Sequence, residues 1–256
     1  MADGLTGKRV VITGASAGIG AALAVELHRR GARPVLAARR AGELAEVAAL
    51  AGNSPWIACD VTQRGEVERL RAFALAQGPV DTWVNNVGRG ISRLVSELDD
   101  DDIDEMVQIN VKSALYGMQV ILPHFRERGR GHIVNVSSML GRIPFAAQRS
   151  AYSGAKHMLN ALTANLRMEV RETHPEIMVS TFSPGVVRTE FGVSARHGGF
   201  DSRQAAYSQS AEEVAVLLAD LVERPVADVY SRPGMRAQVA AYYAAEDMGA
   251  AETARG

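Results

Sequence analysis

The chain has 256 residues, of which 47% are hydrophobic and 22% charged; this is a globular composition with room for one large α/β domain or two small ones, and it excludes general disorder. Twenty-eight Lys and Arg face 29 Asp and Glu, a net charge of −1, so no basic excess is left to meet a nucleic-acid backbone. A single cysteine excludes an internal disulfide, and no run of about 18 apolar residues offers a membrane span.

The opening stretch Met1 to Arg9 has no apolar segment of the signal-peptide type, so a cytoplasmic location is expected. Beyond it, strand-like and helix-like patterns alternate. A β-branched run predicts a strand over residues 9–12, ending at a glycine cluster. Helical spacing covers 19–30, with Ile19, Leu23 and Leu27 inward, Glu26, Arg29 and Arg30 outward, and Gly31 as a stop. A strand follows over 35–38, a helix over 43–50, and a strand over 56–59, whose Cys59 reads as a buried small hydrophobe. A helix over 66–77 closes at Gly78-Pro79, and 82–85 reads as a strand.

One long helix is predicted over 99–128. Its acidic start at 99–102 would be a solvated run complementing the helix dipole rather than a metal site, and Pro123 is a kink or boundary. Strands at 132–136, 177–182 and 226–230 alternate with helices at 151–171 and 212–222. This alternation implies parallel pairing through crossovers, an α/β fold with an open, doubly wound sheet, and apolar strands without strict alternation suit burial on both faces. No shift in composition divides the chain, so one domain over 1–256 is expected, with a core at about 6–232. Residues 185–210, rich in Gly, Ser and Arg, are long for a loop and so functional or disordered, and the Ala-rich tail 233–256 is expected to fray.

Two clusters carry chemistry. Thr13-Gly14-Ala15-Ser16-Ala17-Gly18-Ile19-Gly20 joins the first strand to the first helix. Glycines there allow a sharp turn and let backbone N–H groups approach a pyrophosphate at a helix N-terminus; the alternative is a tight turn with no ligand. Tyr152-Ser153-Gly154-Ala155-Lys156 lies in the predicted helix 151–171, and its i, i+4 spacing puts phenol and ammonium on one face. A lysine there would lower the tyrosine pKa from about 10, making a general acid or base usable near neutrality.

These motifs, taken in order, resemble the compact single-domain branch of the short-chain dehydrogenase/reductase family, over residues 6 to 190. The resemblance implies a Rossmann fold with a mostly parallel seven-stranded sheet and helices on both faces. It assigns the cofactor turn to Gly14, Ser16, Ala17, Gly18, Ile19 and Gly20, and adenine contact to Asp60 with Val61 beside it. Asn85-Asn86-Val87-Gly88 resembles the family's Asn-Asn-Ala-Gly turn, placing Asn86 and Gly88 at the cofactor, with Val87 in place of Ala. Asn110 falls where the family keeps an active-site Asn, and Asn135-Val136-Ser137-Ser138-Met139-Leu140-Gly141 resembles the motif whose second serine is catalytic, here Ser138. Pro184-Gly185-Val186-Val187-Arg188-Thr189 resembles the turn that holds the nicotinamide carboxamide, through Pro184, Gly185, Val187 and Thr189. Before Lys156, Gly154 and Ala155 replace the frequent Ala-Ser, without removing a catalytic group.

The chemistry implied is hydride transfer between a nicotinamide cofactor and a carbonyl or alcohol carbon of a small molecule. Tyr152 would exchange the proton, Ser138 would hydrogen-bond the oxygen, Lys156 would hold the ribose, and Asn110 would hold a water leading to solvent. The second strand ends Ala38-Arg39-Arg40; Ala38 stands where NAD-preferring members carry Asp, and Arg39 offers a fork for a 2′-phosphate, so NADP(H) is expected over NAD(H), with Arg40 alongside. A non-catalytic nucleotide sensor or a silent structural partner is the alternative, disfavoured by the complete set Asn110, Ser138, Tyr152 and Lys156. Substrate contacts are expected from 89–94, 140–148 and 193–207, and a homodimer or homotetramer from cover over Leu115, Met118 and Leu162 on the long helices.

Overall fold

Short runs of valine, isoleucine, leucine and alanine build the centre of the molecule. The computed structural model describes residues 4–253; the first three residues of the opening stretch and 254–256 of the tail lie outside the described residues. The strands are β1 (Arg9–Thr13), β2 (Arg33–Ala38), β3 (Trp56–Ala58), β4 (Thr82–Asn85), β5 (Gly131–Val136), β6 (Ile177–Ser183) and β7 (Asp228–Tyr230). They form one seven-stranded sheet in the order β3-β2-β1-β4-β5-β6-β7, every neighbouring pair parallel.

Parallel strands need crossovers, and helices supply them on both faces. One face is covered by α1 (Gly18–Arg29), α2 (Ala41–Leu50) and α7 (Ala211–Glu223), packing Leu23, Leu27, Leu44 and Leu218 against Val10, Ile12 and Leu36. The other is covered by α3 (Arg64–Ala76), α5 (Ser113–Arg128) and α6 (Ser150–Thr173), packing Leu70, Phe125 and Val170 against Val11, Trp83 and Ile133. Alternate residues of β1 therefore enter opposite cores, which is why the strand reads as an unbroken apolar run. The edge strand β3 is not sealed on both faces: Trp56 and Ala58 are exposed.

Five expectations need correction. The predicted helix 99–128 is not uniform: α4 (Asp100–Val107) passes through a π-helical turn, Gln108–Lys112, into α5. Pro123 is not a boundary: it lies inside α5 on its exposed side, as does Gln119, whose carbonyl it leaves without the usual helical partner. The acidic run is only partly solvated, since Asp102 is completely buried. Met118 is buried in the core and needs no cover, while Leu115 and Leu162 are half-buried. The tail does not fray through its described length: α8 (Met235–Tyr243) and α9 (Met248–Thr253) fold back, with the Tyr243 hydroxyl donating to the Arg142 carbonyl at 2.8 Å. Among the described residues no helix is long and apolar enough to cross a membrane.

Candidate active site

The carboxyl ends of β1, β4 and β5 meet where the strand order reverses, the place where open α/β sheets bind ligands. At the end of β1 the chain must turn at once into α1. Gly14 and Gly18 do so at φ +68° and +55°, in the left-handed region that side chains disfavour. Gly20 is required for a different reason: a Cβ there would collide with the Gly14 carbonyl and stand 2.6 Å from the Asn86 amide nitrogen. Asn86 locks this turn to β4, its Nδ2 donating to the carbonyls of Thr13 and Gly14 at 3.1 and 3.3 Å, while its backbone N–H donates to Thr13 Oγ1 at 3.0 Å.

Ala17 caps α1 with no side-chain bond, and the first turn holds no acidic residue. Ser16, Ala17, Gly18, Ile19 and Gly20 thus lead into a helix start with no side-chain cap, where Gly18 and Gly20 add no Cβ, which fits the pyrophosphate of a dinucleotide. Thr189 seals one side, its methyl 3.1 Å from where a Gly18 Cβ would stand. The turn that carries Pro184, Gly185, Val187 and Thr189 is pinned from outside. The Pro184 carbonyl accepts from Met139 N at 2.9 Å, and Gly185 N donates to Ser231 Oγ at 3.1 Å. Ser202 Oγ sits 2.7 Å from the Val187 carbonyl and 3.0 Å from that of Thr189.

Arg39 lines an open cavity of about 470 Å³ with Thr62, Asp104, Glu105, Val107, Gln108, Ile109 and Lys112. Arg39 is exposed and has no hydrogen bond or ion pair to a described residue, whereas Arg40 reaches Ser16 Oγ and Glu43, each at 3.3 Å. Asp60 Oδ1 is already engaged, accepting from the backbone N and the hydroxyl of Thr62 at 3.0 and 2.8 Å, with Val61 buried next to it.

The expected catalytic side chains come together. Tyr152 and Lys156 share the inner face of α6, both buried, with the ammonium 5.8 Å from the ring centroid. Ser138 caps the short turn after β5, where its Oγ accepts from Leu140 N at 3.1 Å, which leaves its own hydrogen uncommitted, and it favours the ionised form of the Tyr152 phenol. Ser137 takes no such part; its hydroxyl is buried without a partner. The π-helical turn points Asn110 inward, where its Nδ2 donates to the Arg89 carbonyl at 2.9 Å and its Oδ1 accepts from Arg89 N at 3.1 Å. Gly88 fits between them: a Cβ would lie 3.0 Å from Asn110 Oδ1 and 3.3 Å from Lys156 Nζ.

The electrostatics differ from expectation. Lys156 does not lower the Tyr152 pKa here: burial pushes the phenol up to about 12, opposed by Ser138 and by the charge of Arg149. Burial also pulls Lys156 down to about 7, and its ammonium is turned to the Val136 carbonyl at 3.0 Å. A buried lysine that is only part-protonated near neutrality brings less than a full charge to the phenol. Sequence reasoning also missed Arg149 and Phe191, one residue past and two residues before the expected substrate windows. Phe191 packs edge-on to Tyr152 at 5.5 Å, and only the chain path through the fold brings it there.

Comparison with known proteins agrees with this arrangement. A family model described as short chain dehydrogenase matches residues 8–198. An uncharacterized oxidoreductase of Staphylococcus aureus strain N315 is 33% identical over 234 residues, covering 90% of this chain and 98% of that protein. Among solved structures, an alcohol dehydrogenase from the archaeon Thermococcus sibiricus, complexed with 5-hydroxy-NADP, superposes with a TM-score of 0.77 at 26% identity, covering 87% of this chain and 95% of that one. A short-chain dehydrogenase/reductase from Burkholderia phymatum, in complex with NAD, shares the fold at a TM-score of 0.84 and 24% identity, covering 98% and 96% of the two chains. The chain is an oxidoreductase that belongs to the short-chain dehydrogenase family.

Proposed function

We propose that the chain is an NADP(H)-dependent oxidoreductase that interconverts a ketone or aldehyde with an alcohol. The observation that carries the reading is the convergence of Ser138, Tyr152 and Lys156, all buried, with the ammonium 5.8 Å from the phenol ring, beside a glycine turn whose helix start has no side-chain cap. The cofactor, when bound, supplies or accepts the hydride at the carbonyl carbon.

The protein's own groups handle the oxygen and the proton. Burial keeps the Tyr152 phenol neutral, so in reduction it holds a proton ready for the carbonyl oxygen. That proton and a hydride on carbon turn the C=O double bond into an alcohol, leaving the tyrosine ionised. Ser138 donates a hydrogen bond to the same oxygen, where negative charge develops. Lys156 lies within reach to hold ribose hydroxyls, and Asn110 fixes the backbone at Arg89 while facing the lysine across Gly88. Gly14, Gly18 and Gly20 would carry the pyrophosphate, Arg39 the 2′-phosphate, Asp60 and Val61 the adenine side, and Pro184 to Thr189 the nicotinamide side.

The test follows NADPH absorbance with a panel of ketones and aldehydes for the wild type and Tyr152→Phe. The variant should lose the roughly 10²–10⁴-fold typical of a missing general acid, with cofactor affinity little changed. Full activity in Tyr152→Phe would overturn the assignment.

A further inference from the structure

Around Tyr152 the charges nearly all cancel. Arg89, Arg93 and Arg196 are matched by Asp99, Asp102 and Glu105: Arg93 Nη1 lies 2.9 Å from Asp99 and 2.8 Å from Asp102, Arg196 Nη1 lies 2.5 Å from Glu105, and further contacts join Arg89 to Glu105 and Arg196 to Asp102. Arg149 is the exception among these arginines, and the other cation beside Tyr152, the buried Lys156, is drawn toward its neutral form instead. Arg149 stands one turn before Tyr152 at the start of α6, so the two side chains share a face. It is half-buried, its Nη1 donates to the Ile91 carbonyl at 3.2 Å, and it pairs with no carboxylate among the described residues.

The chain makes room for this guanidinium. A Cβ on Gly90 would stand 3.0 Å from its Nη1 and 3.1 Å from the Phe191 ring, and a Cβ on Gly199 would stand 3.0 Å from its Nη2. The fork therefore lies between the 89–94 turn and the 185–210 loop, beside the phenol and the ring that packs against it. Burial lowers the pKa of Arg149, and the Tyr152 oxygen is the group whose charge opposes that shift. A desolvated cation is costly without a counter-charge, and a planar fork matches a carboxylate in two bonds. One uncompensated positive charge calls for one negative charge.

We propose that Arg149 binds a carboxylate on the substrate, so that the chain acts on hydroxy acids and their oxo acids in preference to neutral alcohols and ketones. The assignment deepens the reading of Tyr152 as the proton-exchanging group and rests on it. Oxidation of lactate and of racemic 3-hydroxybutyrate is measured beside their methyl esters, with NADP+ and NAD+, for the wild type and Arg149→Met, which keeps the stem and loses the charge. The wild type should favour an acid over its ester by about tenfold to a hundredfold in kcat/KM, the range of a charged hydrogen bond. In Arg149→Met that ratio should fall to near one, through KM for the acid. Any effect of the lost charge on Tyr152 falls on acid and ester alike and cancels.

An ester used as well as its acid by the wild type overturns the proposal, whether or not the variant folds, and so does an acid preference that survives in Arg149→Met. Butyrate, which has no hydroxyl to react, is titrated into both proteins by calorimetry with NADP+ present. Binding to the wild type that is lost in Arg149→Met supports the carboxylate site even if no alcohol is turned over, an outcome that would count against the oxidoreductase reading alone. No butyrate binding to the wild type overturns the site.

Discussion

At His132, inside β5, a single hydrogen decides the chemistry. Ser180 gives its one hydrogen to the Val226 carbonyl at 2.6 Å, so across the 2.8 Å contact His132 Nε2 must donate to Ser180 Oγ. Nδ1 is then a buried acceptor without a partner, and burial, followed by the charge of Lys8, pulls the imidazole down to about 3. The folded value is below the unfolded one of about 6.5, so this stabilisation is complete above about pH 6.5 and is lost as pH falls from there toward 3. Wild-type stability in urea should drop by roughly 1 kcal/mol between about pH 7.5 and 5.5 from this group, and His132→Asn should flatten that slope; equal slopes would refute the assignment. At Arg39 the tested quantity is cofactor choice. Its fork is free and exposed while Arg40 is tied to Ser16 and Glu43. We expect NADPH to be preferred over NADH by at least about tenfold in kcat/KM, less at high salt, and Ala38→Asp with Arg39→Ile to reverse the order. Steady-state kinetics showing equal efficiency in the wild type would leave Arg39 as a solvated helix-start residue.

At the scale of elements, the segment 185–210 is held to α4 by Asp102. Burial would raise the pKa of that carboxyl, but hydrogen bonds from Arg93, His197 and Arg196 outweigh it and hold the group below the usual carboxylate range. The depressed value means that the contact is present above about pH 3.8 and lost as pH falls through the folded value. His197 adopts φ +62° to reach Asp102 at 2.7 Å, and Arg196 N donates to the Gly90 carbonyl at 2.9 Å. Asp102→Asn should free this lid: backbone amides of 193–205 should exchange at least about tenfold faster by mass spectrometry, with KM rising more than kcat falls. Unchanged exchange there would show that the backbone bonds alone hold the loop. The acidic run gave no sign of this role in the sequence, because the cationic and imidazole partners of Asp102 lie nine to 95 positions away.

For the molecule as a whole, assembly is open to measurement. Ile103 on α4 and Met158 and Met168 on α6 are exposed, and large apolar side chains on these helices favour cover by a second copy. We expect a dimer or tetramer, with light scattering at micromolar concentration as the check; a monomer mass would refute it, and Met158→Glu with Met168→Glu should shift the mass downward. The tail belongs to this scale too. Tyr242 packs edge-on to Phe145 at 5.3 Å, and the Met235 methyl lies against Gly185, so the chain's last described helices buttress the turns after β5 and β6.

What the sequence determined by itself was the alternation of elements and the positions of the motifs. Apolar period and glycine placement are local properties, and α1 with its turn, β4 and the Tyr152–Lys156 spacing follow from neighbours in the chain. Ser138 was separable from Ser137 by motif order; the fold buries both, and the Ser138 hydroxyl caps the turn after β5 while that of Ser137 finds no partner among the described residues. The tertiary structure decided what depends on distant partners. It set the π-helical turn that aims Asn110, the burial that moves Tyr152 and Lys156 toward their neutral forms, and the hub at Asp102. It also left Arg149 without a counter-charge among the described residues, while Arg89, Arg93 and Arg196 found theirs. Charge compensation and desolvation are sums over everything that folding brings close, and no local stretch of sequence contains those terms.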